Sequence, residues 1–169
     1  MRRFLDGLYD GAAWLAALAM IGVLAMVLLS IVSRQVGFHV PGTDAYAGYS
    51  MAAAGFLALA HTLKRNEHIR VTLLLAHLHG SARRALEIWA LSAGVLLGAL
   101  FAFYSVRLAW VSRALNDIST SNDATPLWIP QLAMAAGALI LLVALIDEWV
   151  LEIRGVRRSA EPEEALHNE

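Results

Sequence analysis

The sequence predicts an all-α integral membrane protein with four transmembrane helices, a short cytoplasmic interfacial helix and both termini in the cytoplasm. Four stretches without Asp, Glu, Lys or Arg, each 19 to 23 residues long, interrupt the 169-residue chain. The hydrocarbon core of a bilayer, about 30 Å thick, needs about 20 helical residues. Hydrophobic residues make up 59% of the chain and charged residues 16%, against about 25% charged in soluble domains. Together these observations exclude an ordinary soluble domain.

We predict one membrane domain over residues 1–153 and a flexible cytoplasmic tail over residues 154–169. The predicted spans cover about 11–33, 45–63, 86–110 and 127–149, and the interfacial helix covers about 69–79. The first span is longer than the apolar region of a signal peptide, which has about 7 to 15 residues, and Ser33-Arg34-Gln35 at its end is not a small-residue cleavage site. We therefore expect the first span to be retained.

The connections fit this arrangement. Pro41-Gly42 predicts a tight turn before the second span, where Thr43 or Asp44 can cap the helix. The stretch 69–79 is apolar but too short to cross a bilayer, and Arg70 and two histidines lie within it, a pattern typical of an interfacial helix. Pro126 and Pro130 are tolerated in the first turn of the fourth span.

The distribution of Lys and Arg predicts the orientation. Ten of these residues lie in the N-terminal segment, the middle loop and the tail, and three lie on the other side of the predicted spans. The positive-inside rule places the side with more Lys and Arg, and with it both termini and the middle loop, in the cytoplasm. All five tryptophans lie near predicted span ends, as membrane-interface anchors do: Trp14, Trp89, Trp110, Trp128 and Trp149.

The predicted spans contain little that could support chemistry. The four charge-free stretches contain one histidine, His61, and its place near Lys64 favours an interfacial histidine over a proton relay. The chain has no cysteine, no His-Glu-x-x-His helix, no nucleophile elbow and no phosphate-binding glycine loop. Its formal net charge is −1, which gives no reason to expect a nucleic-acid partner. We predict that the protein is not an enzyme and has no cofactor, metal or substrate site.

Small residues mark two helix faces along which backbones can approach closely. The third span carries Gly94, Gly98 and Ala102, and the second carries Gly48, Ala52, Gly55 and Ala58. Packing between helices of this chain and docking against another membrane protein are both open for these faces.

The end of the second span and the loop after it resemble a known family. Residues 61–75 are similar to the signature of the small membrane subunit of tripartite ATP-independent periplasmic (TRAP) transporters. The matching segments are Lys64-Arg65 before Glu67-His-Ile-Arg-Val71, Val40-Pro-Gly-Thr-Asp-Ala-Tyr46, and Pro126-Leu-Trp-Ile-Pro-Gln131. The likeness extends to Trp149. It departs at Asp44, where the family often has glutamate, and at Thr72, where it often has aspartate.

The resemblance implies a role without catalysis. In such systems a periplasmic binding protein captures an organic acid, and a large membrane subunit of about twelve spans carries it with sodium ions by an elevator-like movement. The small subunit packs on the static scaffold of the large one. This chain would then have three partners: the large transport subunit, the periplasmic substrate-binding protein and the lipid bilayer. Candidate contacts to a partner or to lipid are Glu67, His68, Arg70, Gly94, Gly98 and Ala102.

Two alternatives from other classes stay open. A stand-alone membrane accessory or assembly protein would also need no chemistry within its spans. A small homodimeric exporter would need an ion-coupling carboxylate deep in the bundle, and the four charge-free stretches contain no Asp or Glu.

Overall fold

The computed structural model describes residues 2–38, 40–65 and 81–155. Within these ranges the chain forms four helices: α1 (Arg2–Val36), α2 (Thr43–Lys64), α3 (Ser81–Ala114) and α4 (Trp128–Ile153). The predicted interfacial helix, the candidate contacts Glu67, His68 and Arg70, and the tail from residue 156 onward lie outside the described residues.

Among the described residues, three stretches are long and apolar enough to cross a membrane: Leu5–Val36, Ala82–Ala114 and Trp128–Ile153. The structure therefore supports three of the four predicted spans. The crossing of α2, which has 22 residues, stays a prediction, because α2 is not among these three stretches. The helices α1 and α3 have 35 and 34 residues, more than a bilayer core needs, so their ends project beyond it or the helices tilt.

The four helices pack side by side in the order α1, α2, α4, α3. The contact between α1 and α4 is marginal, so α1 and α3 form the two flanks of the row. Most buried apolar residues are alanines, whereas many leucines, valines and isoleucines are exposed. Such an arrangement suits a lipid environment, in which small residues let helix backbones approach and large apolar side chains can face lipid tails.

The contact between α3 and α4 is formed by small side chains at alternating spacings of four and three residues. These buried residues of α3 are Gly98, Ala102, Ser105, Ala109 and Ser112. A repeat of this kind keeps one face toward a neighbouring helix and is typical of left-handed packing. A Cβ atom added at Gly98 would lie 2.9 Å from Leu145 Cδ1 of α4, and one at Gly94 would lie 3.6 Å from Leu145 Cδ2.

The helices α2 and α4 approach closely at Gly137. A Cβ atom at Gly137 would lie 2.4 Å from the carbonyl oxygen of Phe56 and 2.9 Å from its Cβ. No side chain fits between these backbones, so the crossing requires glycine at position 137. Gly137 is not among the small residues that the sequence predicted to mark a helix face.

The two ends of the loop between α1 and α2 both use glycine in the left-handed region. Gly37 ends α1 with φ of 73°, and the amide of Phe38 donates to the Ser33 carbonyl over 2.9 Å, as in a Schellman motif. Gly42 precedes α2 with φ of 82° and makes no side-chain cap. The prediction that Thr43 or Asp44 caps α2 is wrong, because Thr43 already belongs to the helix and Asp44 turns toward α1.

Candidate partner and membrane contacts

At the end of the protein that the sequence predicts to lie outside the cytoplasm, the loop between α1 and α2 meets the loop 115–127, which is fastened to α2. We call this predicted outer end the outer surface. The loop 115–127 folds back on itself, with hydrogen bonds from Ser119 N to Thr125 O and from Leu127 N to Asp117 O, both 2.9 Å. Its tip is held by the Tyr49 hydroxyl, which donates to Asp123 Oδ2 over 3.1 Å. The result is an ordered outer surface.

The same tip also contacts the other outer loop. A Cβ atom at Gly42 would lie 2.7 Å from Asp123 Cβ, so glycine is needed there for spacing as well as for its positive φ. Desolvation opposes the charge on Asp123, but hydrogen bonds with Thr125, Ser119 and Tyr49 outweigh it and lower the pKa of Asp123. Asp123 is therefore held as a carboxylate that joins the loops to α2.

A charged pair lies beside this tip. Arg34 Nη2 of α1 is 3.9 Å from Asp44 Oδ2 of α2, and the two side chains are 75% and 84% exposed. Exposed pairs of this kind add little to stability, so both charges are available to a partner. They border a small polar cavity of about 140 Å³ between the loops, whose lining includes Ser30, Thr43 and Asn122.

The opposite end contains a charge cluster that joins three helices. Lys64 Nζ at the end of α2 donates to Asp147 Oδ2 of α4 and lies 3.4 Å from Glu148 Oε1. It also lies 5.4 Å from the centre of the buried Tyr9 ring of α1. Exposure is 22% for the side chains of Lys64 and Asp147 and 12% for Glu148. Among the described residues, no group of three His, Asp or Glu is arranged to hold a metal ion.

Two further polar contacts join α3 to α4 at this end. Arg84 Nη2 donates to the Ile153 carbonyl over 2.9 Å, near the end of α4. The Trp149 indole donates to Ser92 Oγ over 2.8 Å. Trp149 therefore contributes to packing between helices as well as lying near a predicted span end.

The other tryptophans differ in their surroundings. Trp14, Trp89 and Trp110 are well exposed, as a side chain facing lipid headgroups would be. Trp128 lies under the Arg113 guanidinium, 5.3 Å from ring centre to Cζ. The anchoring role of the five tryptophans stays a prediction.

The two small-residue faces of the sequence have different places in the structure. Gly94, Gly98 and Ala102 face α4 of the same chain. Of the two alternatives for this face, the structure therefore supports packing within the chain. On α2, by contrast, Gly48, Ala52 and Gly55 are exposed, and a Cβ atom at Gly48 or Gly55 would meet nothing within 4 Å. We call these three residues the open α2 face.

A comparison with protein families decides the wider identity. The family model described as "Tripartite ATP-independent periplasmic transporters, DctQ component" matches residues 20–155. The chain belongs to this family. The resemblance found in the sequence is thereby confirmed, over a range that includes about half of α1 and all of α2, α3 and α4. No curated protein matches the chain.

Membership fixes the general role of this DctQ component. It is the small component of a TRAP transporter, a membrane protein from a transporter family and not from a known enzyme family. Proteins of the family work with a large DctM subunit and a periplasmic binding protein. Together with the three membrane-length helices, this role makes the surfaces that can contact other proteins and lipid the candidate functional sites of the chain.

Proposed function

We propose that this DctQ component is the small permease subunit of a sodium-coupled transporter for organic acids, and that it stabilises the static scaffold of the large subunit. It would lie in the bacterial inner membrane with both termini in the cytoplasm. An elevator mechanism needs one part that stays fixed while another moves, and added helices resist tilting of that fixed part. The observation that carries this proposal is the open α2 face.

The open α2 face suits a neighbouring helix better than it suits lipid. Gly48, Ala52 and Gly55 leave a shallow channel along α2, where the backbone of another helix can come close and gain van der Waals contact. Gly94, Gly98 and Ala102 would support the complex from inside, because they hold α3 against α4. Glu67, His68 and Arg70 remain candidate contacts to the large subunit or to lipid headgroups.

The outer surface offers a place for the periplasmic binding protein. Arg34 and Asp44 present both signs of charge, and Phe38 and Ile118 are exposed apolar residues of the two loops. Because Tyr49 and Asp123 fasten the loop 115–127 to α2, a partner docking there would lose little loop entropy. We infer a role in docking from this ordered surface.

The charged residues of the described part fit a structural role better than a transport pathway. The least exposed ones, including Lys64 and Glu148, lie at one end of the helices and interact with one another. A pathway for sodium or a carboxylate would need polar groups along the middle of the spans. We therefore assign substrate and sodium binding to the large subunit.

Co-purification with the large subunit tests the proposal. We would compare the native chain with the Gly55→Leu variant, which fills the open α2 face, and with Gly11→Leu as the matched control. Gly11 is also exposed and has nothing within 4 Å of an added Cβ. Overpacking typically costs about 1 to 3 kcal/mol, so Gly55→Leu should reduce recovery of the complex about tenfold while Gly11→Leu leaves it unchanged.

Two outcomes would count against this assignment. Equal recovery of the complex for the native chain and both variants would mean that the open α2 face is not the contact. A native chain that never co-purifies with a large subunit would favour the stand-alone accessory protein.

A further inference from the structure

A groove of about 450 Å³ lies between α1 and α2, at the same end as the Lys64 cluster. Its lining is Asp10, Ala13, Trp14, Ala17, His61 and Arg65. We call it the α1–α2 groove. Asp10 directly precedes the charge-free stretch 11–33, so the groove lies where the hydrocarbon core meets the headgroup region.

The polar part of the α1–α2 groove has one group of each charge. Asp10 contributes an exposed carboxylate from α1, and its Oδ1 lies 3.5 Å from His61 Nδ1. Arg65 contributes an exposed guanidinium from the end of α2, and within the described residues no hydrogen bond or ion pair engages that side chain. Opposite charges on the two helices can therefore bind a ligand that itself carries both charges.

The remaining lining is apolar. Ala13 and Ala17 are one helical turn apart, so together they leave a shallow channel along α1. Trp14 is 73% exposed and has the amphipathic ring that is typical of the headgroup region. The α1–α2 groove thus has a polar end and an apolar end, in the order in which a phospholipid presents its headgroup and acyl chain.

We propose that the α1–α2 groove binds a zwitterionic phospholipid with a primary ammonium group, of the phosphatidylethanolamine class. The ammonium N–H groups would donate to Asp10, and Arg65 would donate to the phosphate oxygens, both as charge-assisted hydrogen bonds. An acyl chain would lie along Ala13 and Ala17. This inference does not depend on the partner contacts proposed above.

The chemistry of the groove distinguishes three lipid classes. A quaternary ammonium has no N–H to donate to Asp10, so phosphatidylcholine should bind more weakly. Phosphatidylglycerol lacks a cation and brings its negative charge near the Asp10 carboxylate, which repels it. The primary ammonium lipid alone satisfies both Asp10 and Arg65.

Native mass spectrometry of the purified full chain in mild detergent can measure this preference. The probes are phosphatidylethanolamine, phosphatidylcholine and phosphatidylglycerol with identical acyl chains. We expect about tenfold tighter binding of phosphatidylethanolamine than of either other lipid, the factor that one added charge-assisted hydrogen bond supplies. The Asp10→Asn variant should lose the preference over phosphatidylcholine, and Arg65→Gln should weaken binding of all three lipids.

Matched controls separate this site from general surface charge. Asp6 lies one turn before Asp10 on α1, and Arg154 is an exposed arginine after the end of α4. The variants Asp6→Asn and Arg154→Gln should both retain the native preference. Binding of the three lipids within about twofold of one another, tighter binding of phosphatidylglycerol, or an unchanged preference in Asp10→Asn would overturn the proposal.

Discussion

Lys64 near the end of α2 donates a hydrogen bond to Asp147 of α4, a residue 83 positions later in the chain. The Glu148 carboxylate also contacts the Lys64 amine, and the amine lies over the Tyr9 ring. One amine therefore connects α1, α2 and α4 at the end where the sequence predicts the cytoplasm. Its surroundings are mostly buried, so loss of the amine would leave carboxylates without their cation.

Replacing Lys64 with methionine should destabilise the protein by about 2 to 4 kcal/mol. Removing one partner of a fully buried ion pair costs about 3 to 5 kcal/mol, and some exposure of Lys64 and Asp147 reduces that cost. The matched control is Arg83→Gln, which removes a pair between a 48% exposed arginine and Glu87, four residues later on the same helix, and should cost about 0.5 kcal/mol or less. Denaturant unfolding in mild detergent, monitored by tryptophan fluorescence, measures the loss in unfolding free energy for both variants. Equal losses for the two variants would contradict a structural role for the Lys64 cluster.

Gly137→Ala should destabilise the contact between α2 and α4. The added methyl group would meet the Phe56 carbonyl at 2.4 Å, and the helices would have to separate at a cost of about 1 to 3 kcal/mol. Gly55→Ala is the control, because its methyl group meets nothing within 4 Å and alanine favours a helix by up to about 1 kcal/mol over glycine. The change in the free energy of unfolding should therefore have opposite signs for the two variants. A Gly137→Ala variant with unchanged stability would be inconsistent with this close crossing.

The Asp123 carboxylate should make the stability of the outer surface depend on pH. Its folded-state pKa lies below the ordinary value of 3.8, so its stabilising effect is present above that value and is lost as the pH falls through the folded-state pKa. At neutral pH, Asp123→Asn should lower the unfolding temperature. That difference from the native chain should shrink below about pH 4. Thermal scans across this range test the prediction, and a difference that persists at the acid end would argue against ionisation as its cause.

Single cysteines should reveal the orientation, and the native chain has none. We expect a cysteine at Ser121 in the outer loop to react with an impermeant thiol reagent in intact cells. Cysteines at Ser81 and Ser159 should be shielded, because the distribution of Lys and Arg places them in the cytoplasm. Labelling at Ser81 from outside would contradict the predicted topology of four spans.

The helices themselves could be predicted from the sequence, but their ends could not. Charge-free stretches mark where a helix can lie in hydrocarbon, and all four lie largely within helices of the structure. The helix α1 begins at Arg2, before the predicted span 11–33, because Asp6 and Asp10 are unfavourable in hydrocarbon but acceptable in a helix that extends into the headgroups. Hydropathy patterns therefore predict the embedded part of a helix and not its full length.

The contacts between helices depended on information that the sequence does not display. In the sequence, Asp147 and Glu148 lie near the end of the fourth predicted span, and pairing them with Lys64 requires knowing that α2 packs beside α4. The same neighbour relation gives Gly137 its role. For Gly98 the sequence left two alternatives, and only the position of Leu145 shows that the face is internal.

Uptake by the reconstituted complex, measured across sodium concentrations, tests most directly whether this chain is a structural subunit without a transport site. The variants are His61→Gln and Asp44→Asn, which keep side-chain size and remove a titratable group. We expect total uptake to need the chain, and we expect both variants to retain the native sodium dependence and substrate selectivity. A changed sodium stoichiometry in either variant would contradict this role and place the chain within the coupling mechanism.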